Sequence, residues 1–454
     1  MGTRRNQQRQ EALWVATGAI VETPGHAFYT KLNQLLSERR FDERVEHLCR
    51  RFYTGPLGQP SLPPGVYFRC LLIGYFEGIE SERGIAWRVA DSLSLRKFLG
   101  YGIDERTPDH STISRTRRLF WASTHQAVFH WVLRCLKADG LVSGKTIGID
   151  ATTLEANAAM RSIVRRDTGA SYDAYLTTLA QAAGIAEPTR EELARFDRKR
   201  KKKGSNQDWT SPADPDARIA KMKDGRTHLA HKAEHAVDLS SGALLAVTVQ
   251  AADLGDTATV FATLSAAGDA MAAASLGAID DAVLDKGYHS EAVLLALDGV
   301  DVRSYIPEPK RKRRRWKGTD KAAEQRAVYA NRRRIRGPRN PGLQAKRAEL
   351  NERSNAHLYE TGGMRRVHLR GSENILKRLL VHGAGFNLAL LMRSRYGIGK
   401  PRGLQGRSLS SFRLWALLRQ LLGAIGDAMA RLFTRFPHLR VPRHHILHTW
   451  SRAQ

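Results

Sequence analysis

The chain has 454 residues, with 73 Lys and Arg against 45 Asp and Glu, and a formal net charge of +28. At 42% apolar residues it can fill two or three ordinary cores. So large an excess of positive charge points to a polyanionic partner, nucleic acid ahead of a membrane surface. The three cysteines, Cys49, Cys70 and Cys135, form no CxxC pair. That argues against a disulfide framework or thiolate zinc site and fits a reducing cytoplasm. The first residues hold too short an apolar stretch for a signal peptide, and no run reads as a membrane span. The leucine-rich stretch from Leu409 to Leu432 is interrupted by Arg413, Arg419 and Asp427 and reads as an amphipathic helix.

From His26 to about Ala138 apolar residues recur at three- and four-residue spacing, as in HAFYTKLNQLL, GVYFRCLLIGYFEG and HQAVFHWVLRCLKA, so residues 1–140 are expected to form an all-helical N-terminal domain. Within it, PDHSTISRTRRLFW places Ser111 or Thr112 to cap a helix carrying Arg115, Arg117 and Arg118. Such a helix suits a phosphate backbone, which makes this domain the expected DNA-binding unit.

After Gly140 the pattern turns to strands. KTIGID is the first, and HLAHKAEHAVD with ALLAVTVQ reads as a hairpin turning at Ser240 to Gly242. A helix, DTATVFATLSAAGDAMAAA, is followed by the strand DDAVLD, a helix from about Ser290, and the strand DVRSYIPEP. Three strands, then helix, strand, helix, strand, describe an α/β domain over residues 141–398, a mixed sheet flanked by helices.

Two basic inserts interrupt it. One, near residues 161–224, contains RKRKKKG and reads as a mobile loop. The other, near 308–344, holds 14 basic and 3 acidic residues. Residues 400–454 add 10 basic and 1 acidic, a basic helical tail, so the charge is concentrated in segments. Local basicity favours a nucleic-acid track.

Asp150 and Asp285 each close an apolar strand, and on neighbouring strands their carboxylates would meet at one sheet edge. The segment LQAKRAELNERSNAHLYE offers a third acid from Glu349, Glu352 and Glu360. Hard oxygen donors of this kind suit Mg²⁺ or Mn²⁺, ions that support in-line phosphoryl transfer.

Four stretches, PDHSTISR (residues 108–115), GIDATTLEANA (148–158), LDKGYHS (284–290) and NERSNAHLYETGGMRRVHLRG (351–371), stand in an order that resembles the DDE transposases of bacterial insertion sequences, in the branch with a helical N-terminal region. The resemblance runs from about Ala12 to Arg395. It implies a ribonuclease-H-like core and selects Glu352, so that Asp150, Asp285 and Glu352 form the metal-binding catalytic triad with Mg²⁺ or Mn²⁺. It also implies double-stranded DNA partners, the transposon's terminal inverted repeats and the target, a homo-oligomer on DNA, and a bacterial, nucleoid-associated cytoplasmic location. Lys286 and His289 are expected near the scissile phosphate or flanking DNA. Arg353, Arg365, Arg366, Arg370 and Lys377 are expected along the backbone phosphates. Asn355 departs from the family pattern, which has an aromatic residue there. The competing readings are a metal-dependent nuclease of the same fold that does not join strands, and a DNA-binding derivative without catalysis.

Overall fold

A computed structural model describes residues 26–53, 61–200, 204–222, 225–310, 316 and 321–404. Lys201 to Lys203 of the RKRKKKG run, most of KRKRRRWK and the stretch Leu409–Leu432, expected as a helix, lie outside the described residues. Seven helices come first: α1 (Ala27–Glu38), α2 (Phe41–Cys49), α3 (Pro64–Glu77), α4 (Glu82–Ala90), α5 (Leu93–Leu99), α6 (His110–Leu119) and α7 (Ala122–Ala138). Their starts follow local chemistry. Ser81 and Ser92 cap α4 and α5 by accepting from the third residue onward. At α6 the cap is Asp109, which accepts from Thr112 N at 2.8 Å, two or three residues earlier than the Ser111 or Thr112 expected. An ionised cap is the stronger acceptor at a helix start.

The sheet follows: β1 (Thr146–Glu155), then a small ribbon and helices made of β2 (Val164–Arg165), α8 (Tyr172–Ala182), α9 (Arg190–Lys199) and β3 (Trp209–Thr210), then β4 (Arg218–Lys221), β5 (Thr227–Asp238) and β6 (Leu244–Ala251). Next come α10 (Asp256–Ala273), β7 (Asp281–Val283), α11 (Glu291–Gly299), β8 (Arg303–Tyr305), α12 (Ala322–Arg336), α13 (Arg339–Asn355) and α14 (Ser372–Tyr396). The main sheet has six strands in the order β4-β5-β1-β7-β8, with β6 also on β5. β1, β7 and β8 are mutually parallel, while β5 runs antiparallel to β1, β4 and β6. The mixed α/β fold and its preceding helical region are therefore as expected, and the hairpin turns at residues 239–243.

The insert departs from the expectation of a mobile loop. Its described residues fold around a separate apolar cluster of Ala156, Ile163, Trp209, Ala217 and Leu229, with Tyr172 and Tyr175 edge-on to Trp209. Arg165 lies over both Tyr175 and Trp209. Burying an indole and stacking cations on it supplies the apolar area that a purely charged loop would lack.

α14 is long and apolar enough to cross a bilayer, yet it is packed inside the protein. Two glycines let it in. A Cβ at Gly385 would stand 2.5 Å from Tyr75 of α3, and one at Gly383 would stand 2.9 Å from Leu244 of β6 and 3.1 Å from Phe129 of α7. Asn387 then donates to Leu244 O and accepts from Leu244 N, at 2.8 and 2.9 Å. One hydrophobic cluster accordingly runs from Ala27 through the sheet to Met392, with α14 joining the helical region to β6.

Candidate active site

Asp150 sits within β1, not at its end, because β5 continues to pair with β1 as far as Glu155. Only the parallel ladder to β7 stops early, at Gly148 opposite Val283. Extending that register by two residues sets Asp150 level with Asp285, which lies just past β7. Asp285 caps a short 3₁₀ turn, Lys286–Tyr288, and its Oδ1 accepts from Gly287 N at 2.7 Å. Both carboxylates are half-buried.

α13 crosses this edge, touching β1, β5 and β7. It can approach because Gly148 has no side chain: a Cβ there would lie 2.8 Å from Leu239, 3.1 Å from Arg347 and 3.2 Å from Asn351. Asn355, at the end of α13, brings its Nδ2 to 3.5 Å from Asp150 Oδ2. The residue that breaks the family pattern thus reaches the first acid, a contact that an aromatic ring would not make. Glu352, one turn earlier on α13, is exposed. Among the described residues, no three His, Cys, Asp or Glu side chains stand close enough together to hold a metal. The helix-borne glutamate is on the helix that covers the two strand acids, but its carboxylate is not gathered with theirs.

A buried layer supports the acids. On β5, His235 pairs with Asp150 across the ladder, accepts or donates at Ser354 Oγ (3.3 Å), bonds the Tyr359 hydroxyl and stacks on its ring. Burial pushes His235 down to about 3, so it is neutral at physiological pH. Its neighbour Glu234, 0% exposed, accepts from Thr259 Oγ1 at 2.9 Å and from Tyr288 OH at 2.8 Å. Burial raises the Glu234 carboxyl, and it also raises the Tyr288 phenol, which Glu234 pushes further. Lys232 completes the layer, donating to Asp256 Oδ1 at 2.6 Å and to Thr259 Oγ1 at 2.9 Å. Tyr288 ties the turn that carries Asp285 to the sheet. A Cβ on Gly287 would lie 2.7 Å from Asp256 and 3.0 Å from Asp285, so a second carboxylate stands beside Asp285. The sequence carries no signal for Asp256, Glu234 or His235, since their relation to the acids depends on strand pairing and on α10.

The cations expected along DNA divide into two groups. Arg115, Arg118, Lys286, Arg353, Arg366 and Arg370 are exposed, and Arg365 partly so. Arg117, Lys377 and His289 are turned inward, at 7%, 4% and 4% exposure, and are corrected here as structural residues. Arg117 pairs with Glu82 on α4, and Lys377 pairs with Glu373 at 2.9 Å while donating to Arg117 O. With Asn374 and Ser114 accepting from its other nitrogens at 3.4 and 3.3 Å, the Arg117 guanidinium is engaged inside the protein rather than offered to a phosphate.

The segment after α13 runs beside the far end of β1. Glu155 N donates to Arg365 O and Val367 N to Glu155 O, at 3.1 and 2.9 Å. Arg365 donates to Thr152 Oγ1 at 3.1 Å, Arg366 lies 3.7 Å from Glu155, and Arg370 lies 3.4 Å from Asn157 O. Asn157 in turn donates to His368 O at 2.9 Å. Two open grooves meet here, of about 600 and 350 Å³, sharing Glu155 and His228. They begin at Thr152, about 7 Å along β1 from Asp150. A line of arginines therefore leads away from the two acids.

Residues 18–119 match the family model of the Transposase domain (DUF772). The match contains α1 to α6 and ends before β1, so the three acids lie outside it. No curated protein matches the chain. The chain carries a transposase domain across its helical N-terminal region.

Proposed function

We propose that this chain is a DDE-type transposase that cuts DNA at the terminal inverted repeats of its element and joins the freed 3′ ends to target DNA. The carrying observation is the shared register that sets Asp150 level with Asp285 while α13, bearing Glu352, packs on the same strands. The α/β sheet with β1, β7 and β8 parallel and β5 antiparallel is in keeping with a ribonuclease-H-like core. The donor chemistry fits a hard divalent cation: Asp150 and Asp285 would hold Mg²⁺ or Mn²⁺, with Glu352 turning inward from its exposed position on α13. Bound there, the ion would activate water or a 3′-hydroxyl and stabilise the leaving oxygen.

The protein's own residues position the substrate. Arg365, Arg366 and Arg370 line a phosphate track that starts beside the acids, and Arg115 and Arg118 offer a second set on α6. Tyr288, held by Glu234, fixes the turn under Asp285, and Asn355 fixes the Asp150 carboxylate.

Asp150→Asn, Asp285→Asn and Glu352→Gln, made separately, should each abolish Mg²⁺-dependent cleavage of terminal repeats and leave DNA binding within about threefold. Near-normal cleavage by any one variant would remove that residue from the site. Joining of pre-cut ends in the same assay separates a transposase from a nuclease of the same fold.

A further inference from the structure

Behind the end of α13 a second cluster of cations surrounds a narrow hollow. Its floor is apolar, with Tyr75 from α3 and Phe386 from α14, and its rim carries Arg353, His357, Arg393 and Lys400. These come from three places in the chain: the end of α13, the turn after it, and the end of α14 with the segment beyond. Only Arg353 has a carboxylate partner in the described structure, Glu349 on the preceding turn. Arg393 is exposed and Lys400 partly so, and neither is in an ion pair among the described residues.

Gathering three cations and a histidine with one compensating carboxylate, Glu349, is unfavourable in an empty protein. Its effect is visible on the groups themselves. Burial first, then Lys400, Arg393 and Arg353, push His357 down to about 4. Burial, then Arg393 and Arg402, lower Lys400. The sequence beyond residue 404 has 8 basic residues against one acid, Asp427, and adds further positive charge. An external anion would relieve the repulsion.

We infer that the rim formed by Arg353, His357, Arg393 and Lys400 is a phosphate-oxyanion site. The narrow hollow keeps the ligand at its mouth, where the Arg393 guanidinium fork can offer two donors, Arg353 the donors that Glu349 leaves, and Lys400 a third charge. The phosphate can be a DNA backbone group or free inorganic phosphate. The first source rests on the transposase reading and extends the DNA track to the back of the Glu352 helix; the second does not.

The test uses the full chain and the double variant Arg393→Gln/Lys400→Gln, with Arg190→Gln/Arg198→Gln on α9 as a charge-matched control. In the first arm, thermal unfolding is followed with 10 mM inorganic phosphate against chloride of equal ionic strength. Wild type and control should gain the same upward shift, and the double variant should lose most of it. In the second arm, duplex binding is measured from 50 to 200 mM salt. Each lost phosphate contact should lower the slope of log affinity against log salt by about 0.9. A loss in either arm supports the site and names the source. Equal phosphate shifts together with an unchanged salt slope would overturn it. If the wild type fails to bind duplex at all, the transposase reading falls and the phosphate arm alone decides the site.

Discussion

Gly148 is the point where the helix bearing Glu352 presses on the strand bearing Asp150, so Gly148→Ala tests the arrangement directly. The added methyl would meet Leu239 at 2.8 Å, Arg347 at 3.1 Å and Asn351 at 3.2 Å. The Arg347 stem can swing aside; Leu239 and the Asn351 side chain are packed between helix and sheet, so α13 must rise by a few tenths of an ångström. Overpacking of this kind costs about 1–3 kcal/mol. The same shift carries Asn355 and Glu352 away from Asp150, and misplacement of reacting groups by up to about 1 Å lowers rates by about 100-fold. Gly268→Ala is the matched control: Gly268 lies in the exposed face of α10 with nothing within 4 Å of a Cβ, so alanine there should add about 0.5–1 kcal/mol. Urea unfolding monitored by tryptophan fluorescence gives the stabilities, and single-turnover cleavage of a terminal-repeat duplex gives the rate. Opposite signs of stability change, with slow cleavage only in Gly148→Ala, are expected. Wild-type stability and cleavage in Gly148→Ala would show that α13 does not bear on β1 as described.

Glu82→Gln leaves the Arg117 guanidinium, whose side chain is 9% exposed, without its carboxylate, and should destabilise the protein by about 3 kcal/mol in urea; a loss below about 0.5 kcal/mol would mean that Arg117 finds water. Trp209→Ala should loosen the insert by about 3 kcal/mol, so that limited proteolysis cuts within residues 161–222 while the rest of the chain stays resistant; an unchanged digest would contradict the separate cluster. Burial depresses His125 to about 4, His235 to about 3 and His382 well below its ordinary value. As the pH falls below about 6.5 the unfolded chain takes up protons that the folded chain refuses, so the stability these groups contribute is complete above that pH and is lost on acidification. Each adds up to about 1.4 kcal/mol per pH unit, and unfolding midpoints equal at pH 7 and pH 5 would show that these rings accept protons in place.

What the sequence reveals about this site depends on how local the cause is. The strand order β1, hairpin, α10, β7, α11, β8 follows from period-two apolar runs and turn residues. Asp150 and Asp285 stand out because acids rarely end such runs, although the exact end of β1 depends on how far β5 pairs with it. The fold of the insert is hidden in the sequence because Trp209 meets Ala156, Ile163 and Leu229 only after the chain has folded back, and charge dominates its composition. Arg117 was legible in principle: it stands four residues after the buried Ile113, on the inner face of α6, and the basic neighbours concealed that spacing. Asn355, a departure from the family pattern in sequence, makes a polar contact to Asp150, which no spacing rule reports.

α14 closes the chain's described fold by lying between α3, α7 and β6. The element that follows the candidate site in sequence is therefore the wedge that fixes the helical region to the sheet. Were α6 to grip a repeat, the spacing from the gripped base pairs to Asp150 would be set by a solid core, as on a ruler, rather than by a tether. Lengthening the connection between α7 and β1 would leave the cut where it was, whereas bulky residues at Gly383 or Gly385 would let the ruler slip.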